Sequence, residues 1–207
     1  MDFSNNSKNP WYAPQLKIPS VSRITLDREL KKVFKRLSPG TVLDVGSKHS
    51  PYKKYIPCKK YLRLDINEKS NPDICCDLHD IKYKSNFLDT VIATEVLEHL
   101  YDPQKAVNEI YRVLKLNGVC ILSTRFIQHY HPDPKDYYRF TQDSLNYLFK
   151  NFKKVEIIPH GNRLQSSWQI LNIGLIKLVL NFFNPLIALV KVKKTRCPCG
   201  FIVYAVK

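Results

Sequence analysis

Two spacings of apolar residues along the chain predict its secondary structure. Between 22 and 37 apolar residues recur three to four positions apart, which predicts an amphipathic helix. Further helices are predicted from Asp102 or Pro103 to Leu116, and from a Thr141 cap onward. Short apolar runs predict seven strands, within 41–45, 59–66, 72–78, 88–96, 117–125, 153–160 and 200–207. Strands alternating with helices favour an α/β fold with a mainly parallel sheet and helices on both faces.

The pattern also predicts the domain organisation. Residues 1–21 carry three prolines among polar residues and are expected to form an irregular N-terminal arm. The length of 207 residues suits one domain, which we place at 22–207. A hydrophobic helical insert is expected at about 164–192, just before the last strand.

The insert has two uncharged runs, 164–176 and 178–190, followed by a basic cluster that extends to 196. Each run is shorter than the roughly 20 residues that span a bilayer. An in-plane helix or helical hairpin fits better, with one apolar stripe formed by Trp168, Leu171, Leu175, Leu178 and Phe182. Contact of 164–196 with an anionic membrane is the leading interpretation, and a lid packed on the core or a dimer interface are the alternatives.

Charge and cysteine content narrow the partners and the compartment. The net charge of +15 favours an anionic partner such as nucleic acid, a membrane face or a phosphorylated substrate. Cys75, Cys76 and Cys120 fall in segments predicted to be buried strands, which favours a reduced, cytoplasmic protein. Cys197 and Cys199 have no second pair nearby, and no metal site is expected.

The turn after the first predicted strand, "VLDVGSKHSPY" at 42–52, indicates a ligand class. A dinucleotide-binding turn needs three glycines, but only Gly46 is present here. The Asp44 carboxylate would also repel a pyrophosphate. S-adenosylmethionine carries a sulfonium and an ammonium group and has no phosphate, so it suits an acid and a single glycine better.

Two further acids follow successive predicted strands. Asp65 lies 19 residues after Gly46, where a carboxylate accepts hydrogen bonds from both ribose hydroxyls. Asp77 is placed to accept from an adenine amino group, with the Leu78 backbone facing the ring. Each acid alone is also typical of an ordinary strand-end turn, but their succession at strand ends favours a nucleoside site.

In these segments the chain resembles the class I S-adenosylmethionine-dependent methyltransferases, specifically the type 11 group. The matching segments, in order, are "VLDVGSKHSPY", "YLRLDIN", "CDLHDI", "LDTVIATEVLEHLYDPQKAVNEIYRVLKLNGVCILST" and "HPDPKDYYRFT". The first loop departs from the frequent DxGxGxG pattern and follows the GxxxSPY pattern of some members. The resemblance implies a Rossmann-like seven-stranded sheet of order 3-2-1-4-5-7-6 with strand 7 antiparallel.

The resemblance also implies a set of residues that bind the cofactor. The methionine end would be lined by Asp44, Gly46 and Ser47, with Glu95 beside the methionine or the methyl group. The ribose would lie at Asp65 and Ile66, and the adenine at Asp77 and Leu78.

The acceptor side is predicted in "RFIQHYHPDPKDYYRFT" at 125–141. His131 is the candidate general base, which is needed only if the acceptor loses a proton early. Tyr137, Tyr138 and Arg139 are candidates for closing the pocket or binding an anionic acceptor. The structural alternative is that Asp136 pairs with Arg139 and the tyrosines pack.

The expected activity is methyl transfer from S-adenosylmethionine to an O or N atom of a small or lipid-linked acceptor. The expected location is the cytoplasm, with peripheral attachment at the inner membrane face if the insert binds lipid. The competing functions are an RNA or protein methyltransferase, to which nucleic acid would be drawn by charge, and a non-catalytic S-adenosylmethionine-binding module. The sequence leaves the acceptor and the oligomeric state open.

Overall fold

The computed structural model describes residues 19–46, 50–132, 134–171, 176–192 and 195–207. Its centre is one seven-stranded sheet, and the predicted strand order is confirmed as β3-β2-β1-β4-β5-β7-β6. β7 runs antiparallel to both β5 and β6, and the other strand pairs are parallel. The strands are β1 Gly40–Val45, β2 Cys58–Asp65, β3 Ile74–Cys75, β4 Leu88–Thr94, β5 Leu114–Arg125, β6 Lys154–His160 and β7 Gly200–Val206.

Helices cover both faces of the sheet, as predicted. They are α1 Val21–Phe34, α2 Pro103–Val113, α3 Gln142–Leu148, α4 Arg163–Leu171 and α5 Ile176–Ile187. Leu26, Leu30 and Phe34 of α1 are fully buried in the apolar cluster on one face. Val107 and Ile110 of α2 belong to the larger cluster on the other face. α1 and α2 therefore bury the stripes that their sequence spacing predicts.

Helix starts follow local capping chemistry. The Asp102 side chain accepts from the amide of Lys105, and Pro103 occupies the first turn, where its missing N–H costs nothing. Thr141 caps α3 in a reciprocal pair with Ser144, so the predicted cap is confirmed.

Two predicted boundaries are wrong. The helix predicted to reach Leu116 ends at Val113, because Leu114 already pairs with Leu88 in the sheet. The third strand, predicted over 72–78, is only Ile74–Cys75. Beside it, the Asp73 side chain accepts the Arg63 amide, a bond that a neighbouring strand would otherwise provide. Cys75 lies on this sheet edge and is exposed rather than buried.

The hydrophobic insert forms α4 and α5, and its packing is the reverse of an ordinary surface helix. Asn181 and Asn184 of α5 are buried, whereas Phe182 and Leu186 are 73% and 61% exposed. Asn184 accepts from the Trp168 indole and donates to the Pro19 carbonyl. Polar hydrogen bonds therefore hold the insert to the domain, and its apolar side chains face outward. The predicted stripe is only partly described, because residues 172–175 and the side chain of Leu178 lie outside the described part.

Candidate functional site at the carboxyl edge of the sheet

The parallel strands β1, β2, β4 and β5 end at one edge of the sheet. Asp44 pairs in register with Arg63, and Asp65 with Cys75. Asp44 and Asp65 therefore lie along the same edge, with Glu95 directly after β4. This is the edge at which parallel α/β sheets bind ligands. Asp77 follows β3 by two residues. Ser47 lies outside the described residues.

Gly46 makes a sharp turn that brings two loops together. Its φ of +62° is in the left-handed region, and an added Cβ would lie 2.8 Å from Val96 Cγ2. Its amide donates to the Leu64 carbonyl at 2.8 Å. Only glycine fits this backbone and this contact. Gly46, directly after β1, is consequently packed against Val96 in the loop after β4.

Asp44 is a buried carboxyl with neutral partners. It is 2% exposed and accepts a hydrogen bond from the Tyr61 hydroxyl. Burial raises the pKa of Asp44 to about 6, although hydrogen bonds from Tyr61 and Ser50 oppose the shift. The same pairing and burial raise the pKa of Tyr61 well above its usual range. The carboxylate form of Asp44 is therefore costly in the absence of a cationic ligand.

This cost predicts a pH-dependent effect of Asp44→Asn on stability. A carboxyl whose pKa rises from 3.8 to about 6 on folding destabilises the fold by about 3 kcal/mol above pH 6 and not at all below pH 4. Asparagine imitates the neutral form of Asp44. The free energy of unfolding of the variant should therefore be about 2–3 kcal/mol higher than that of the wild type at pH 8 and nearly equal to it at pH 4. Urea unfolding at both pH values measures this; an equal gain at both would show that ionisation is not the cause.

Asp65 lies at the same edge, and only one of its carboxylate oxygens is hydrogen-bonded in the described part of the chain. Its side chain is largely buried, and Oδ1 accepts from the amide of Asn67 at 3.0 Å. Among the described residues, Oδ2 has no donor. Ile66 beside it is 69% exposed and gives an apolar surface at the mouth of the edge. The arrangement leaves one carboxylate oxygen for a ligand hydroxyl.

Asp77 uses one of its two carboxylate oxygens for contacts within the protein. Its Oδ1 accepts from the His79 amide at 2.8 Å and lies 2.6 Å from His79 Nδ1. The Asp77 side chain is nevertheless 42% exposed. Leu78 is buried in the core as a whole residue, and little of it is exposed to a ligand. Asp77 Oδ2 is therefore the carboxylate oxygen without a donor among the described residues.

Glu95 is buried in a charge pair that sequence analysis missed. Its backbone has φ +57°, and its carboxylate pairs with the Arg125 guanidinium at the end of β5. Burial alone would raise the pKa of Glu95, but the charge of Arg125 and the hydrogen bond from Ser123 hold it below the usual value. Glu95 is therefore ionised and held by Arg125. The sequence signal for this pair was Arg125 itself, a charged residue at the end of an otherwise apolar strand.

Glu98 is a second buried acid that the sequence did not single out. It is fully buried, and Oε2 accepts from the Thr124 hydroxyl at 2.9 Å. Burial, together with the negative charge of Glu95, raises the pKa of Glu98 to about 7. Glu98 follows Glu95 by three residues in the segment after β4, and this spacing is the sequence sign that relates the two acids.

The predicted acceptor loop is anchored to the segment after β4. The amides of Tyr137 and Tyr138 both donate to the Glu98 carbonyl, and the two side chains are 46% and 39% exposed. Arg139 makes a bidentate pair with Asp136, as the structural alternative predicts. His131 donates its amide to the same carboxylate. Burial of its ring lowers the pKa of His131, so the imidazole is neutral at pH 7.

Known structures share this fold at low sequence identity. A SAM-dependent methyltransferase from Archaeoglobus fulgidus is 17% identical, covers 91% of this chain and 95% of its own, and superposes with a TM-score of 0.59. A SAM-dependent methyltransferase from Thermotoga maritima is 14% identical, covers 90% of this chain and 91% of its own, and superposes with a TM-score of 0.61. Phosphoethanolamine N-methyltransferase 2 of Haemonchus contortus is 13% identical, and the match covers 87% of this chain and 52% of that one. The two superpose with a TM-score of 0.58.

A family comparison matches part of the chain. Residues 43–122, which contain the end of β1, all of β2 to β4 and most of β5, match the methyltransferase domain family of type 11. This part of the chain is a methyltransferase domain. No curated protein matches the chain.

Proposed function

We propose that this methyltransferase transfers a methyl group from S-adenosylmethionine to a lipid-linked or other small acceptor at an anionic membrane surface. The observation that carries the proposal is the insert, which presents its apolar side chains away from the domain. The donor site and the membrane-facing surface belong to one described fold. The proposed acceptor thus comes from the lipid side of the enzyme.

The residues at the carboxyl edge fit the donor. S-adenosylmethionine, when bound, supplies a methyl group that its sulfonium activates for displacement. Asp44 is a buried carboxyl whose pKa stays raised although Arg63 lowers it, and an ammonium or sulfonium beside it would favour its ionised form. Asp65 accepts from the ribose through its second oxygen, and Asp77 from the adenine. The proposed roles of Gly46 and Ser47 are to let the methionine portion approach the backbone.

The chain's remaining task is alignment. Holding donor and acceptor in line supplies much of the acceleration in such a displacement. The Glu95–Arg125 pair fixes the loop after β4, and the Glu98 carbonyl holds the loop that carries Tyr137 and Tyr138. Those tyrosines, with Arg139 and His131, are proposed to line the acceptor side.

The insert supports attachment to a membrane surface. Its outward side chains include Val179, Phe182, Phe183, Leu186 and Leu189, all at least 42% exposed. Lys191 and Arg196 follow the apolar segment. Such a pattern suits a helix lying in the plane of an anionic leaflet. None of the helices in the described part of the chain has both the length and the apolar character to cross a bilayer.

Transfer of labelled methyl groups tests the acceptor class. Membrane and aqueous extracts are incubated with the enzyme and methyl-labelled S-adenosylmethionine. We expect the label in the organic phase, because the acceptor is carried in lipid. Label in RNA or protein would support the alternative that the +15 charge favours. Binding of S-adenosylhomocysteine without label in any fraction would indicate a non-catalytic module.

A further inference from the structure

Three potential metal ligands meet beyond the ends of β4 and β5. Glu98 and His99 lie in the short 3-10 turn after β4, and His131 lies in the loop after β5. One ligand atom from each residue lies within 4.8 Å of the other two. The two imidazole rings are edge to face, with centroids 4.9 Å apart. This spacing allows a single ion to contact all three side chains.

The buried carboxylate points to a ligand. Glu98 is fully buried, and its Oε2 accepts from Thr124. Its Oε1 is also buried and has no hydrogen-bond partner in the described part of the chain. A buried carboxylate oxygen without a partner is costly, and a bound cation is one way to satisfy it.

The histidines are oriented as metal ligands usually are. His99 Nδ1 lies 2.9 Å from the Lys135 carbonyl. A carbonyl only accepts, so Nδ1 carries the proton and Nε2 keeps its lone pair. His131 Nδ1 lies 3.2 Å from the Asp136 carboxylate but is buried and makes no hydrogen bond among the described residues. A carbonyl behind a metal-binding histidine, as at His99, is a common arrangement, and the unpartnered ring nitrogen of His131 is a second buried atom that an ion would satisfy.

The neighbouring cations do not oppose an ion at this position. Arg125 is paired with Glu95, and Arg139 makes two hydrogen bonds to Asp136. Each guanidinium is therefore balanced by its own carboxylate. Glu98 remains as the acid of the cluster, and its Oε1 has no hydrogen-bond partner among the described residues.

We propose that Glu98, His99 and His131 bind a first-row divalent transition-metal ion. Two imidazoles with one carboxylate favour manganese, iron, cobalt or zinc over magnesium or calcium, which prefer all-oxygen sites. Three protein ligands leave open coordination positions for a substrate. The mixed ligand set and the open positions together describe a catalytic rather than a structural site.

The site assigns the acceptor chemistry, an assignment that rests on the proposed function. An acceptor hydroxyl bound to the ion loses its proton to solvent more readily, because the ion lowers its pKa. The oxygen then forms a bond to the methyl carbon as the carbon–sulfur bond breaks. The electron pair of the broken bond stays on sulfur, which gives S-adenosylhomocysteine. Val96, which packs on Gly46, is two residues from Glu98, so donor and ion share one edge. The acceptor is therefore an oxygen nucleophile.

Titration of the full chain with Co²⁺ tests the site directly. We expect visible d–d absorption that saturates and is displaced by Zn²⁺. The isosteric Glu98→Gln and the half-exposed His131→Gln should each weaken Co²⁺ binding by at least about 100-fold, since loss of a mere supporting residue costs up to that much. His129→Gln, an exposed histidine of the same loop, is the matched control and should bind as the wild type does. Equal binding by all variants, or no d–d absorption in the wild type, would overturn the site.

A parallel titration separates this proposal from the proposed function. S-adenosylhomocysteine binding is measured by calorimetry with and without chelator, and we expect no difference. Cofactor binding without Co²⁺ binding would exclude the metal site and leave the methyltransferase function standing. Co²⁺ binding without cofactor binding would support the metal site and exclude the proposed methyltransferase function. Loss of a sharp thermal transition in Glu98→Gln would leave His131→Gln and His99→Gln to decide.

Discussion

Asp65→Ala should weaken binding of S-adenosylhomocysteine by roughly 10- to 150-fold. A hydrogen bond to a charged group is worth about 1.5–3 kcal/mol, and the Asp65 carboxylate is proposed to hold the ribose. Calorimetric titration of the purified chain measures the change. Because Asp65 also accepts the Asn67 amide, a thermal melt of the variant checks that the fold is retained.

Asp89→Ala is the matched control for this effect. Asp89 also sits at a strand end, but at the opposite edge, where it accepts from the Thr41 amide and pairs with Lys115. The control should bind the cofactor as the wild type does. Similar losses in both variants would indicate general destabilisation, and an unchanged Asp65→Ala would place the ribose elsewhere.

Phe182→Ser combined with Leu186→Ser should weaken binding to anionic vesicles by at least about 100-fold. Each side chain stabilises the bound state by about 1.5–3 kcal/mol if it enters the lipid. The two residues lie one turn apart on the exposed face of α5, and their replacement removes an edge contact between Phe182 and Phe183 but no residue of the buried core. Flotation with vesicles of phosphatidylglycerol measures binding.

Leu116→Ser provides the control for the vesicle experiment. Leu116 is 77% exposed on β5, outside the insert. Its replacement should leave flotation unchanged. If the double variant instead changes only the oligomeric state, a second copy of the chain covers α5 and the membrane attachment is wrong. Deletion of 166–190 is a less specific test, because it also removes the hydrogen bonds that Trp168 and Asn184 make.

The fold follows from the sequence where local signals agree with the packing. The apolar runs of β1, β4 and β5 are buried in the centre of the sheet, and their strands lie close to the predicted bounds. The third strand is shorter than predicted because it lies at the edge of the sheet, with a neighbouring strand on one side only. The apolar residues Cys75 and Cys76 therefore form few backbone hydrogen bonds to another strand. The end of α2 was misplaced because sheet pairing of Leu114 overrides its helical spacing.

The site was predicted only in part, for a physical reason. Acids at strand ends are visible in the sequence, so Asp44, Asp65 and Glu95 were found. Arg125 and Thr124 meet Glu95 and Glu98 only because β4 and β5 are neighbours in the sheet. Such partners depend on tertiary pairing and leave no spacing signal along the chain.

Packing also reverses an ordinary expectation for the insert. Apolar residues in a helix normally indicate the face turned toward the core. In α5 the buried face is formed by Asn181 and Asn184, which are hydrogen-bonded inside the protein. The sequence shows both sets of residues, but only the contacts with Trp168 and Pro19 show which set faces inward.

A crystal structure of the chain with S-adenosylhomocysteine tests the central claim most directly. The account predicts the adenosine beyond the ends of β1 and β2, with ribose oxygens within hydrogen-bond distance of the Asp65 carboxylate and the amino group near Asp77. The sulfur should face the loop that carries Glu95. A nucleoside bound at another edge of the sheet, with Asp65 still paired only to Asn67, would contradict it.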